Sequence, residues 1–231
     1  MRLKLLSALL AGVLMVGFAG ASNAAHINYD ATLTPVPANM FGTGVVPDHF
    51  TLGTFTSGDN TVELGLRARY RVRPTQANDG NGMYGPFPAG TQTAAFGSPA
   101  RNDRAEWSYD FFINTGSTPF ANFTFNLCID GPGGPNDCNN PLTFDNLPGV
   151  VGAGQSGNSL QVLFPGTPGN PGYNINQTGL YNITLSVANV RDANPFGTLE
   201  IAAQVPEPGT LALLGVSLAG LAFVRRKKLL G

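Results

Sequence analysis

No lysine occurs between Lys4 and Lys227, and the chain holds two cysteines, two histidines and one tryptophan. Each scarcity excludes something. From residue 25 to 204 the only cations are Arg67, Arg69, Arg71, Arg73, Arg101, Arg104 and Arg191; against thirteen acids these seven leave a net charge of −6. A surface of that sign has no general attraction for nucleic acid, so no nucleic-acid partner is expected. Two cysteines and two distant histidines make a poor zinc set. Cys128 and Cys138 lie too far apart for a Cys-x-x-Cys redox pair. A hydrolytic triad needs a histidine base, and neither His26 nor His49 sits in a recognisable motif. The central region shows no apolar repeat of about 3.6 residues, so amphipathic helices are not expected there. Apolar runs of membrane type occur only at the two ends.

At the N-terminus Arg2 and Lys4 precede an apolar core over residues 5–19, and Ser22-Asn23-Ala24 supplies small residues. This is the pattern of a secretory signal peptide over 1–24, cleaved between Ala24 and Ala25. Secretion machinery is therefore an expected partner. At the C-terminus Pro206-Glu207-Pro208 is followed by an uncharged apolar run over 210–224 and then by Arg225-Arg226-Lys227-Lys228. The prolines end whatever precedes them. An apolar segment closed by a basic cluster predicts one transmembrane helix with its C-terminal end cytoplasmic.

This tail, residues 205–231, resembles the PEP-CTERM sorting domain: Pro-Glu-Pro, a short transmembrane helix and a terminal basic stop, in that order. The resemblance covers about a tenth of the chain. It implies recognition by an exosortase, a membrane-embedded cysteine protease of Gram-negative bacteria that make exopolysaccharide. It also implies processing near Pro206, Glu207 and Pro208. The protein would be anchored in the inner membrane at least transiently and then delivered to the cell surface or extracellular matrix.

Between the signals lies an ectodomain of 180 residues, 25–204, enough for one domain with a sizeable core. Over 61–73 the residues alternate strictly: Val62, Leu64, Leu66, Ala68, Tyr70 and Val72 on one side, Glu63, Gly65, Arg67, Arg69, Arg71 and Arg73 on the other. Such alternation predicts a half-buried strand. Preceding it are an apolar run over 49–56, whose phase changes near Gly53, and a hairpin turn over 57–60. Further strands are expected over 27–33, 105–114, 120–129, 160–164, 181–187 and 198–205. In the 105–114 strand Trp107, Tyr109, Phe111 and Ile113 share the core side, while Glu106, Ser108, Asp110, Phe112 and Asn114 share the other. About eight strands joined by Gly-, Pro- and Asn-rich turns predict an all-β fold, an antiparallel β-sandwich with a jelly roll as its nearest variant.

Candidate chemistry is sparse. Arg67, Arg69, Arg71 and Arg73 on one strand face could grip carboxylates or sulfates of an exopolysaccharide; alternatively they pair with Glu106 and Asp110 on a neighbouring strand. Cys128 and Cys138 bracket a turn-rich loop and, in an exported protein, are expected to form a disulfide. Asp130 and Asp137 in that loop are weak calcium candidates, and no metal or other cofactor is expected. Residues 152–157 fit Gly-x-Gly-x-x-Gly without the strand–helix context it needs, so they are expected to be a loop. Glu63, Glu106 or Glu200 could pair with an aspartate for glycoside cleavage, but no spacing selects a pair. The sequence thus points to an exported, non-catalytic envelope or biofilm-matrix protein that associates with exopolysaccharide. The alternative is an extracellular carbohydrate-active enzyme.

Overall fold

A computed structural model describes residues 26–34, 40–41, 46–71, 74–132, 142–143, 153–160, 176–192 and 194–207, together with Gly209, Leu213, Val216 and Ser217. The signal peptide over 1–24 with its Ala24–Ala25 junction, Arg73, Asp137, Cys138, Pro208, most of the 210–224 segment and Arg225, Arg226, Lys227 and Lys228 lie outside the described residues.

The strands run in the order β1 (His26–Ala31), β2 (Met40–Phe41), β3 (Phe50–Ser57), β4 (Asn60–Tyr70), β5 (Met83–Tyr84), β6 (Thr91–Gln92), β7 (Arg101–Ala105), β8 (Trp107–Pro119), β9 (Phe123–Asp130), β10 (Leu142–Thr143), β11 (Ala153–Leu160), β12 (Gly179–Asn189) and β13 (Gly197–Val205). One 3-10 turn, Phe120–Asn122, joins β8 to β9. The fold is all-β. A six-stranded sheet has the order β1-β3-β4-β8-β11-β2, a five-stranded sheet the order β10-β9-β12-β13-β5, and β6 and β7 form a separate ribbon. The hairpins β3–β4 and β12–β13 each stay within one sheet, while β8 to β9 and β11 to β12 cross between sheets.

Both larger sheets share one core. Val62, Leu64, Leu66, Trp107, Phe111 and Ile113 from the first meet Phe125, Leu127, Ile183, Leu185, Leu199 and Ile201 from the second. Fully burying a side chain of this kind contributes about 1.5–3 kcal/mol, so this layer dominates stability. Trp107 is a core residue, stacked on Phe87 with ring centroids 5.6 Å apart and tilted against Tyr181 at 5.3 Å.

The phase change near Gly53 has a simple structural cause. Phe50 and Leu52 lie on the outer face of the six-stranded sheet and Phe55 on the inner face, with Gly53 between. A Cβ at Gly53 would fall 2.8 Å from the Phe55 ring and 3.2 Å from Leu199. Glycine there lets the sheets close on each other, and the strand needs no bulge. The β3–β4 hairpin closes through Gly58 and Asp59, with Gly58 at φ 59, a backbone suited to a two-residue turn.

One expectation is corrected. Residues 152–157 are expected as a loop and 160–164 as the next strand; residues 153–160 are instead β11, antiparallel to β8. The segment AGQSGNSL has low β-propensity, but Gly157 faces Phe112 and Asn158 faces Phe111 across a long central strand. Pairing overrides propensity there. Residues 161–164 lie outside the described residues.

Candidate functional site

The arginine row divides in two. β4 and β8 pair so that Arg67 lies opposite Asp110 and Arg69 opposite Ser108. Asp110 Oδ2 accepts from Arg67 Nε at 3.0 Å and from Arg69 Nε at 2.9 Å, and also from Arg67 Nη2. Arg67 Nη1 donates to Asp48 O, and the guanidinium lies 4.5 Å above the Phe50 ring. Arg67 and Asp110 are 0 % exposed and Arg69 3 %. These charges sit on the outer face of the six-stranded sheet, beside a second apolar cluster of Leu33, Phe50 and Phe112. Two of the four expected polysaccharide-gripping arginines are therefore sealed inside the protein and bound to one carboxylate, as the alternative pairing anticipated for Asp110. Glu106 is buried too, and accepts the Thr93 backbone N–H at 2.7 Å and the Thr93 hydroxyl.

Arg71 is half-buried just beyond the end of β4. Burial, with the neighbouring guanidiniums of Arg104, Arg69 and Arg101, lowers its pKa to about 10, against an opposing pull from Asp103. Arg101 makes a two-pronged ion pair with Asp103, both contacts at 2.9 Å. Arg104 Nε stands 3.9 Å from the same carboxylate, and that buried nitrogen has no hydrogen-bond partner among the described residues. Three arginines thus gather around Asp103, whose pKa is held down to about 2 chiefly by the Arg101 hydrogen bonds.

The other candidates scatter. Asp130 ends β9, its candidate partner Asp137 lies outside the described residues, and no group of three metal-ligating side chains occurs among the described residues. Cys128 is 6 % exposed on β9. His49 pairs with Asp30 at 2.6 Å, both with positive φ, where the β1–β3 register shifts. A pocket of about 230 Å³ is lined by Asp79, Asn81, Gly82, Met83, Glu200, Ile201 and Ala202, so Glu200 acquires Asp79 as a neighbour that its sequence distance hid. Asp79 accepts the backbone N–H groups of Asn81 and Met83, which lowers its pKa.

The chain leaves the domain without a spacer. Val205 is buried at 1 % as the last residue of β13, paired with Gly179; Pro206 is half-buried and Glu207 exposed. Beyond, Gly209, Leu213, Val216 and Ser217 are helical, and Ser217 Oγ donates to Leu213 O at 2.7 Å. No helix among the described residues is long and apolar enough to cross a membrane.

A family model described as "PEP-CTERM protein-sorting motif" matches residues 204–227. The chain carries that motif, which marks it as an exported protein, sorted by an exosortase and associated with the membrane at least transiently. Neither the curated proteins nor the solved structures searched contain a match to the chain.

Proposed function

We propose that the ectodomain is a non-catalytic component of the bacterial cell surface or biofilm matrix, released or displayed after exosortase acts on the tail. The carrying observation is the junction. The Pro-Glu-Pro motif begins at the residue after buried Val205, so cleavage within or beyond it removes the tail and leaves every strand of the core in place. Charged side chains that might have served chemistry instead brace the scaffold, as Asp110 does for Arg67 and Arg69. Association with exopolysaccharide belongs to this reading and must use side chains other than those two. So does a Cys128–Cys138 disulfide, which would contribute about 2–3 kcal/mol by restricting the unfolded chain.

The carbohydrate-active alternative draws support from Asp79 and Glu200 lining one pocket. It needs one carboxyl held protonated and one ionised; the backbone hydrogen bonds to Asp79 suit it only to the ionised role. The pocket, about 230 Å³, is also smaller than the roughly 300–1,000 Å³ of ordinary ligand sites.

The test is the intact mass of the protein from its native cells, with and without reduction. A chain starting at Ala25 and ending near Pro208 supports export and tail removal. A chain retaining residues 225–231 makes the protein a simple anchored one and sinks the release step. A gain of two hydrogens on reduction establishes the disulfide.

A further inference from the structure

The chain departs for the membrane from one definable end of the sandwich. β4 finishes with Tyr70 opposite Trp107, the first residue of β8. Trp107 packs on Phe87, whose N–H donates to Gln204 O at 2.8 Å, and on Tyr181, which pairs with Ala203. The ends of β4 and β13 and the beginnings of β8 and β12 therefore lie together. The other end carries the Gly58–Asp59 turn and the contact of Phe55 with Gly197.

The arginine cluster sits at the departure end. Arg71 follows Tyr70 directly and its N–H donates to Glu106 O at 3.0 Å, which places it beside the β7–β8 junction and so beside Arg104 and Arg101. The lowered pKa of Arg71, to which Arg104 and Arg101 contribute after burial, agrees with this crowding. Asp103 is the acid inside the cluster; Glu106, buried and bound to Thr93, Asp130 at the end of β9 and Glu207 in the exit are further described acids near this end.

We propose that this end is the membrane-facing base of the domain, and that Arg71, Arg101 and Arg104 engage the phosphate groups of anionic phospholipids while the tail is in the bilayer. The inference rests on the sorting reading, because the tail is what brings this end to the membrane. Four residues, 206–209, separate Val205 from the apolar run. Fully extended they span at most about 14 Å. The base is thus tethered close enough to reach the surface, and within about one Debye length of it each arginine favours the docked state roughly fivefold. A guanidinium also matches a phosphate with paired N–H donors. Docking of this kind would hold residues 206–208 at the membrane surface, where a membrane-embedded protease works.

The single tryptophan supplies the probe, since Trp107 lies at this end. The full chain is reconstituted in vesicles of phosphatidylcholine, or of phosphatidylcholine mixed equally with phosphatidylglycerol, each with dansyl-labelled headgroups. Energy transfer from Trp107 should be higher in the anionic vesicles and fall to the neutral level in high salt. It should fall likewise in an Arg71→Gln/Arg101→Gln/Arg104→Gln variant, with the docked-to-undocked ratio dropping about fivefold per arginine removed. Equal transfer in both vesicle types overturns the proposal. So does loss of binding to soluble polygalacturonate in the variant with no lipid dependence in the parent, which would make the cluster a polysaccharide site. Should the triple variant unfold, reported by a red shift of Trp107 emission, the salt dependence of the parent and the exposed single change Arg101→Gln decide the matter. Failure of the chain to float with either vesicle type would instead indict the membrane reading of the tail.

Discussion

On the outer face of the six-stranded sheet Arg67, Arg69, Ser108, Asp110 and Phe112 are all buried. On the outer face of the five-stranded sheet Asn182, Thr184 and Ser186 are half-exposed, and Thr198, Glu200 and Gln204 are exposed. Both faces sit on the far side of the same apolar core. The first excludes water although it carries formal charges, while the second is wet with mostly neutral side chains. Charge therefore does not mark the solvent side of this molecule. What marks it is whether anything lies over the face, and residues near Leu33 and Asp48 lie over the first: Leu33 N–H donates to Pro47 O, and Asp48 O accepts a hydrogen bond from Arg67 Nη1.

The hardest way to break this contrast is Asp110→Asn. The substitution keeps the shape and leaves two buried guanidiniums without their carboxylate. Removing one partner from a buried ionic cluster costs about 3–5 kcal/mol, which for a domain of this size lowers Tm by roughly 10 °C. Thermal unfolding of the mature exported chain checks it. A loss under about 1 kcal/mol, the scale of an exposed pair, would mean that water reaches this face after all.

Tyr109 sharpens the contrast from inside. Its side chain points into the shared core opposite Ala68, and its hydroxyl has no hydrogen-bond partner among the described residues. Burial pushes the phenol pKa up. An orphaned buried hydroxyl costs about 1–3 kcal/mol, so Tyr109→Phe should raise stability by an amount in that range. Among the described residues both faces leave a hydroxyl unsatisfied, Tyr109 in the core and Ser108 on the outer face, whereas the outer-face carboxylate of Asp110 is satisfied several times over. Unchanged stability in chemical denaturation would point to a bound water serving Tyr109.

The strands of six residues or more were largely visible in the sequence because alternation is a direct consequence of the pleat: β4, β8, β9, β12 and β13 fall within a few residues of the expected runs. β11 was not visible, since Gly, Ser and Asn carry no strand signal of their own and only the partner strand makes them one. The fate of the arginines was half visible. Alternation correctly put Arg67 and Asp110 on the side away from the core, and it says nothing of whether that side is covered. The clue was Phe112, an aromatic in a polar register, together with Phe50 and Leu52 in the same register of β3. The pocket carboxylates Asp79 and Glu200 were illegible, because 121 positions separate them and only the pairing of β5 with β13 brings them together. The sorting motif was legible, since its signal is local and depends on no fold.

The smallest expected effect comes from the open face. Thr198 on β13 is exposed and lies opposite Ser186. Lysine at this position would add a cation to a face that water already solvates, opposite neutral Ser186 and two positions from Glu200, without a desolvation term. Exposed substitutions of this kind change stability by no more than about 0.5 kcal/mol. Chemical denaturation of Thr198→Lys beside Asp110→Asn then compares gaining a charge on one outer face with losing one on the other. A loss of several kcal/mol for Thr198→Lys would show that the five-stranded sheet is covered as well, and would place its outer face against another part of the chain or a second molecule.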